Sequence, residues 1–184
     1  MSHKVFRSFF VLTLIIGLVV MPASQPARAA GSWYVSTTGS GANDCLSQTT
    51  PCATINGALS QPGFVAGDII LVAIGTYTGT GNEVVLLDKG ATLSGGWDET
   101  FTTQSGMSTI DGEGARRGVT VSSGTSTVEA FIILNGSASD GGGISNIGGA
   151  LTLNNSTVSG NSATFSGGGI SSFVGLLTLN TTTV

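Results

Sequence analysis

Histidine is almost missing from this chain. The single copy, His3, sits at the extreme N-terminus, so chemistry that needs an imidazole has nothing to use further on. Charge is scarce as well. Six Lys+Arg and 10 Asp+Glu make up 9% of 184 residues, where about 25% is usual. That deficit excludes a nucleic-acid binder, which needs a basic face. It also excludes a coiled coil or helical bundle, which needs Glu/Lys-rich heptads. Residues 141–184 carry no charged side chain at all. Cysteine occurs twice and proline four times. After the first thirty residues no apolar run reaches the ~20 residues of a spanning helix.

The N-terminus holds the one long apolar stretch. His3, Lys4 and Arg7 precede an apolar run over 9–20 that only Thr13 and Gly17 interrupt, and Pro22 ends it. Ala27-Arg28-Ala29 places small residues where a signal peptidase reads them. Residues 1–29 are therefore expected to be a secretory signal peptide, and the mature chain to be secreted or at the cell surface. Residues 30–184 keep only Lys89, Arg116 and Arg117 against all ten acids, a net charge of −7. They hold 28 Gly, 20 Ser and 23 Thr. In an exported chain Cys45 and Cys52 most simply form one disulfide. Two thiols without a histidine make a poor metal site, and no metal or cofactor is expected.

The most informative feature is internal repetition. Gly141-Gly142-Gly143-Ile144-Ser145 returns 26 residues later as Gly167-Gly168-Gly169-Ile170-Ser171, and Leu151-Thr152-Leu153-Asn154 as Leu177-Thr178-Leu179-Asn180. Twelve of eighteen positions agree between 141–158 and 167–184. An earlier, weaker copy is expected at the same offset, with Asn135 before Asn161 and Ile132 before Val158. Short alternating segments such as Leu151-x-Leu153 read as strands. A unit this small buries its apolar face only by stacking on its neighbours. Strands recurring at a fixed offset with no reversing hairpin stack in parallel, which predicts an all-β parallel β-helix. Ile144 should then lie under Ile170, Leu153 under Leu179 and Asn154 under Asn180. Like charges stacked ~4.8 Å apart would repel, which accounts for the charge deficit.

Further strands are expected at 68–73, 84–87, 91–93, 109–110, 118–121 and 130–134. A short helix over 53–60, with Thr54 at its cap, should cover the first coil. The expected layout is an entry and cap over 30–60 that includes the Cys45–Cys52 bridge, then coils over 61–184. The repeat breaks off at Val184 on a strand, so a C-terminally truncated fragment is expected.

The residues also resemble a known group. Trp33-Tyr34-Val35, Pro51-Cys52-Ala53-Thr54-Ile55, Gly67-Asp68-Ile69-Ile70 and Gly75-Thr76-Tyr77 look like the N-terminal entry of secreted bacterial right-handed parallel β-helix proteins. Leu93-Ser94-Gly95-Gly96-Trp97 and Thr109-Ile110-Asp111-Gly112 continue the likeness. The Gly-Gly-Gly-Ile…Leu-Thr-Leu-Asn repeats are similar to the polymorphic outer membrane protein repeat. Gly160-Asn161-Ser162-Ala163 stands where adhesin-type repeats carry Phe-x-x-Asn. The resemblance implies a pectin-lyase-like superfold with a right-handed coil, and an outer-membrane or surface location. That superfold also hosts pectate lyases and polygalacturonases.

Catalytic constellations are weak. Asp111, Glu113, Arg116 and Arg117 form the densest charged cluster, which reads as a solvated turn rather than a lyase centre. Asp98 and Glu99 are adjacent, and strand neighbours point to opposite faces, so they make no glycosidase pair. Asp140 has Ser166 as its counterpart 26 residues on, so no calcium-binding Asp recurs. Trp33, Tyr34, Tyr77 and Trp97 are expected to pack the first coils. The leading expectation is a non-enzymatic, adhesin-like surface module that binds a carbohydrate or a cell-surface protein, with no catalytic residue. One alternative is a polysaccharide lyase or hydrolase whose active residues lie mostly beyond Val184. A second is a structural spacer for a downstream domain.

Overall fold

The computed structural model describes residues 29–184. The expected leader, apart from its last residue, lies outside the described residues. The elements run β1 (Ser32–Val35), α1 (Ile55–Leu59), β2 (Ile69–Ala73), β3 (Thr76–Tyr77), β4 (Glu83–Leu87), β5 (Thr92–Trp97), β6 (Ser108–Asp111), β7 (Arg117–Val121) and β8 (Thr125–Glu129). They continue with β9 (Phe131–Leu134), β10 (Ser137–Asp140), β11 (Ile144–Asn146), β12 (Ala150–Asn154), β13 (Thr157–Ser159), β14 (Ser162–Ser166), β15 (Ile170–Ser172) and β16 (Leu176–Asn180).

The strands form four sheets: sheet 1 in the order β1-β2-β5-β8-β12-β16, sheet 2 β3-β6-β9-β13, sheet 3 β4-β7-β11-β15, and the pair β10-β14 as sheet 4. Within these sheets every strand pairing is parallel. The chain visits sheets 1, 2 and 3 in turn, then returns to sheet 1 beside its previous strand. This route supplies the long crossovers that parallel strands require.

Side chains of one type then stack on themselves. In sheet 1, Ile70, Leu93, Val128 and Leu153 lie side by side in register, and Leu179 follows Leu153. In sheet 3 the row is Val85, Val119, Ile144 and Ile170. In sheet 2 it is Tyr77, Ile110, Ile133 and Val158. Apart from the exposed Leu179, these rows meet in one apolar core, with Ile170 partly buried against it. Asn180 Nδ2 donates to Asn154 Oδ1 at 2.9 Å, so the stacked asparagines bond along the stack. Where charge enters a row it meets a neutral or opposite neighbour: Glu129 lies between Ser94 and Asn154, with Ser94 Oγ donating to it at 2.6 Å, and Glu83 lies beside Arg117.

The offset of the earlier copy differs from expectation by one residue. Ile132 pairs with Thr157 and Ile133 with Val158, an offset of 25, and it is Gly136 N that donates to Asn161 Oδ1. The extra residue of the next circuit enters as a bulge. Ala138 pairs with Ala163 but Asp140 with Ser166, and the register shifts between them. A bulge seats two residues opposite one, and Phe165, inside it, is 84% exposed. From Ser166 onward the offset is 26, as the Ile144–Ile170 and Leu153–Leu179 pairs show.

The entry is held by local chemistry. Thr54 Oγ1 accepts from Gly57 N at 3.0 Å and caps α1, which lies against β1, β2 and β4. Trp33 packs on Phe64 with ring centroids 5.7 Å apart, and Tyr34 meets Phe101 edge-on. Tyr77 is buried and its hydroxyl donates to Ala73 O at 2.9 Å, while Trp97 Nε1 donates to Ser94 Oγ. Burial, then the charge of Glu99, pushes the Tyr77 hydroxyl above its ordinary pKa. Cys45 and Cys52 are joined by a disulfide and both are buried. Replacing both with Ser should lower stability by about 2–3 kcal/mol through the freed unfolded chain. Urea unfolding of the double variant against the parent checks this.

Candidate functional site

The charged cluster singled out in the sequence divides in space. Glu113 and Arg116 form an ion pair, and Asp111 Oδ1 accepts from Glu113 N at 2.8 Å and from Asn135 Nδ2 at 3.1 Å. Arg117 begins β7 and leaves this turn for sheet 3. Its Nε donates to Asp140 O at 3.3 Å and to Gly141 O at 3.0 Å, and Nη2 to Asp140 O at 2.9 Å. Its Nη1 donates to Thr120 Oγ1 at 3.1 Å, and that hydroxyl donates onward to Glu83 Oε2 at 3.1 Å. Adjacent residues at the start of a strand face opposite ways, so the two arginines serve different surfaces.

Arg117 lines a cavity of about 560 Å³ together with Asp140, Ser145, Ile147, Ser166, Ser171 and Phe173. Three circuits of sequence meet here. The register of sheet 3 sets Thr120, Ser145 and Ser171 side by side, and sheet 4 brings Ser166 against Asp140. Ser166 Oγ donates to Asp140 Oδ1 at 2.7 Å. Phe173 N donates to Asn146 O at 3.0 Å, which sets the exposed Phe173 beside Ile147. The turn between sheets 4 and 3 depends on Gly141 and Gly167, at φ 58° and 63°. A Cβ on Gly141 would stand 2.2 Å from Ile144 O. That turn presents the carbonyls that hold Arg117.

The groove thus offers one guanidinium already committed to protein oxygens, one carboxylate, three serine hydroxyls and an apolar platform. It holds a single carboxylate, so it lacks the matched pair that glycoside hydrolysis uses. Asp98 instead closes its own turn, accepting from Thr100 and Thr102; the Thr102 N–H holds its carboxyl below the usual range. Glu99 binds the Ser36 and Thr38 hydroxyls. Asp111 and Glu113 remain with Arg116 on the turn and do not reach the groove. Among the described residues no three His, Cys, Asp or Glu side chains gather as metal ligands. No described helix is long and apolar enough to cross a membrane.

Sequence reasoning named Arg117 but missed its partners. Two signals were present. Asp140 and Ser166, like Ile147 and Phe173, stand 26 apart, so each pair belongs to one row. Comparison with protein-family models, with curated proteins and with solved structures found no match to this chain.

Proposed function

We propose that this chain is a right-handed parallel β-helix from an exported, non-enzymatic surface module of adhesin-like type, and that it binds carbohydrate or a cell-surface protein in the groove over sheet 3. The observation that carries this reading is the groove: a concave site of about 560 Å³ on a rigid parallel sheet, lined by an apolar pair and a few placed polar groups. Concave, largely apolar sites with few convergent polar groups are where ligands bind. The polar resources are positioned for hydrogen bonding rather than proton transfer, because the arginine is fixed by the backbone and the carboxylate has no carboxylate partner. The repeat, the leader-like N-terminus and the resemblance noted above support export and surface presentation.

The test is direct. Fluorescently labelled protein should bind saturably to a glycan array or to intact cells. The same protein should leave pectin, alginate and other polysaccharides at full length after prolonged incubation. Release of oligosaccharides would replace this reading with an enzyme, and absence of binding to either target would remove it.

A further inference from the structure

Granted the binding reading above, on which this rests, we infer that the groove takes a neutral glycan, with Asp140 accepting from sugar hydroxyls and the Ile147–Phe173 platform covering the apolar face of the sugar. Cavity size favours a small ligand. About 560 Å³ falls within the roughly 300–1,000 Å³ of ligand sites, whereas a stable protein interface covers ~800 Å² on each partner.

Charge selects against an acidic glycan. Arg117 looks like an anion hook, but Nε, Nη1 and Nη2 all donate to Asp140 O, Gly141 O and Thr120 Oγ1. Glu83 stands one hydroxyl away. Residues 30–184 carry three basic and ten acidic side chains, so a polyanion approaches against the field of the whole chain. Asp140 is the charged group left facing the groove, and one of its oxygens already accepts from Ser166. An ionised carboxylate has about four acceptor sites, which suits vicinal hydroxyls and repels a uronate or sulfate.

Shape points the same way. Ser145 and Ser171 are in register on neighbouring strands, a rise of ~4.8 Å, close to the length one pyranose unit adds to an extended glycan. Ser145 is 5% exposed and Ser171 half-buried, so along this spacing Ser171 presents the more accessible hydroxyl to a sugar. Ile147 stays 52% exposed although circuits flank it on both sides, and Phe173 continues its row, so this pair offers the face on which the C–H side of a ring can rest. An aromatic ring presents an apolar face without demanding a hydrogen bond.

The experiment is calorimetric titration of the full chain with two panels: neutral cello-, manno- and xylo-oligosaccharides, and acidic oligogalacturonates and heparin fragments. At least one neutral series should bind, tenfold or more tighter than either acidic series. Asp140→Asn and Phe173→Ala should each weaken that binding at least tenfold, while Thr152→Ala on sheet 1 leaves it unchanged. Both groove variants are surface changes, and unaltered melting curves would show them folded. Tighter acidic binding, or neutral binding indifferent to both variants, overturns the inference and leaves surface binding standing. Cell binding without any glycan binding also overturns the inference alone. Loss of cell and glycan binding together removes the broader reading as well.

Discussion

Asp68→Ala should be the most destabilising single change at the entry, lowering stability by about 4 kcal/mol. Asp68 is fully buried just ahead of β2. One oxygen accepts from Trp33 Nε1 at 2.8 Å and from Val65 N at 3.0 Å, and the other from Gly31 N at 2.6 Å. Its backbone also binds both sides: Asp68 N donates to Val65 O, and Thr92 N donates to Asp68 O. The carboxylate therefore ties β1 and the residue before it to the loop before β2, while the backbone carbonyl of Asp68 makes the link to β5. Removing the carboxylate strands the buried Trp33 Nε1 and takes the partner from two part-buried N–H groups, and a buried, unpaired group costs about 1–3 kcal/mol. A domain has only about 5–15 kcal/mol in total.

Asp68→Asn separates charge from shape. Its carbonyl oxygen can still take the two bonds from Trp33 and Val65, but its amide nitrogen would face the Gly31 N–H as a second donor. A smaller loss of about 1–3 kcal/mol is expected. Urea unfolding followed by tryptophan fluorescence measures both variants, and Trp33 lies at the affected bond. Equal losses for Ala and Asn would show that the carboxylate charge, rather than hydrogen bonding, holds the entry.

The parts of this molecule legible in its sequence are those governed by stacking. Ile144 over Ile170, Leu153 over Leu179 and Asn154 over Asn180 follow from an offset alone, because in a parallel stack equal spacing is equal position. The capped helix was legible for a local reason: Thr54 lies three residues before the N–H it caps. What escaped was polar or inserted. β8 is Thr-Ser-Thr-Val-Glu, and Val128 is its one apolar core residue beside a buried Ser126. β10 is mostly polar and half-buried and β14 is mostly exposed, and they pair because neighbouring strands deliver them side by side. Hydrophobic alternation has no hold on such strands.

The groove was illegible for the same reason. Arg117 and Asp140 are 23 residues apart and share no motif; they meet because one circuit of chain separates them. The bulge in β14 matters too. It converts the 25-residue step into 26 just ahead of Ser166, and so sets the registration of Ser166 on Asp140. A single inserted residue therefore decides which hydroxyl meets the groove carboxylate. The 26-residue offset of the later repeat already pairs Ser166 with Asp140; the bulge and the 25-residue step before it are what that offset could not show.

Two phenylalanines should respond to truncation in opposite ways, which separates the fold from the site. Phe131 begins β9 and is fully buried. Ser108 is its neighbour in sheet 2, and Phe131 N donates to Ser156 Oγ on the far side at 3.2 Å. Small serines flank the ring in its own row, so its bulk fills space that no stacked copy could. It extends across to sheet 1, where a Cβ on Gly95 would stand 3.0 Å from Phe131 Cε2 and 2.5 Å from Ala130 O. Phe131→Ala should therefore cost about 3–5 kcal/mol, lowering the melting temperature by roughly 6–20 °C. Gly95→Ala should not rescue it, because the Ala130 carbonyl still occupies the new methyl's place. Phe173→Ala should change stability by less than about 0.5 kcal/mol, as surface substitutions do, yet it should abolish most glycan binding. Calorimetric melting of both variants, read beside the titrations, gives the contrast. A Phe131→Ala chain that melted like the parent would mean the interior is held by backbone pairing alone, and the rows of stacked side chains would lose their claim to define the fold.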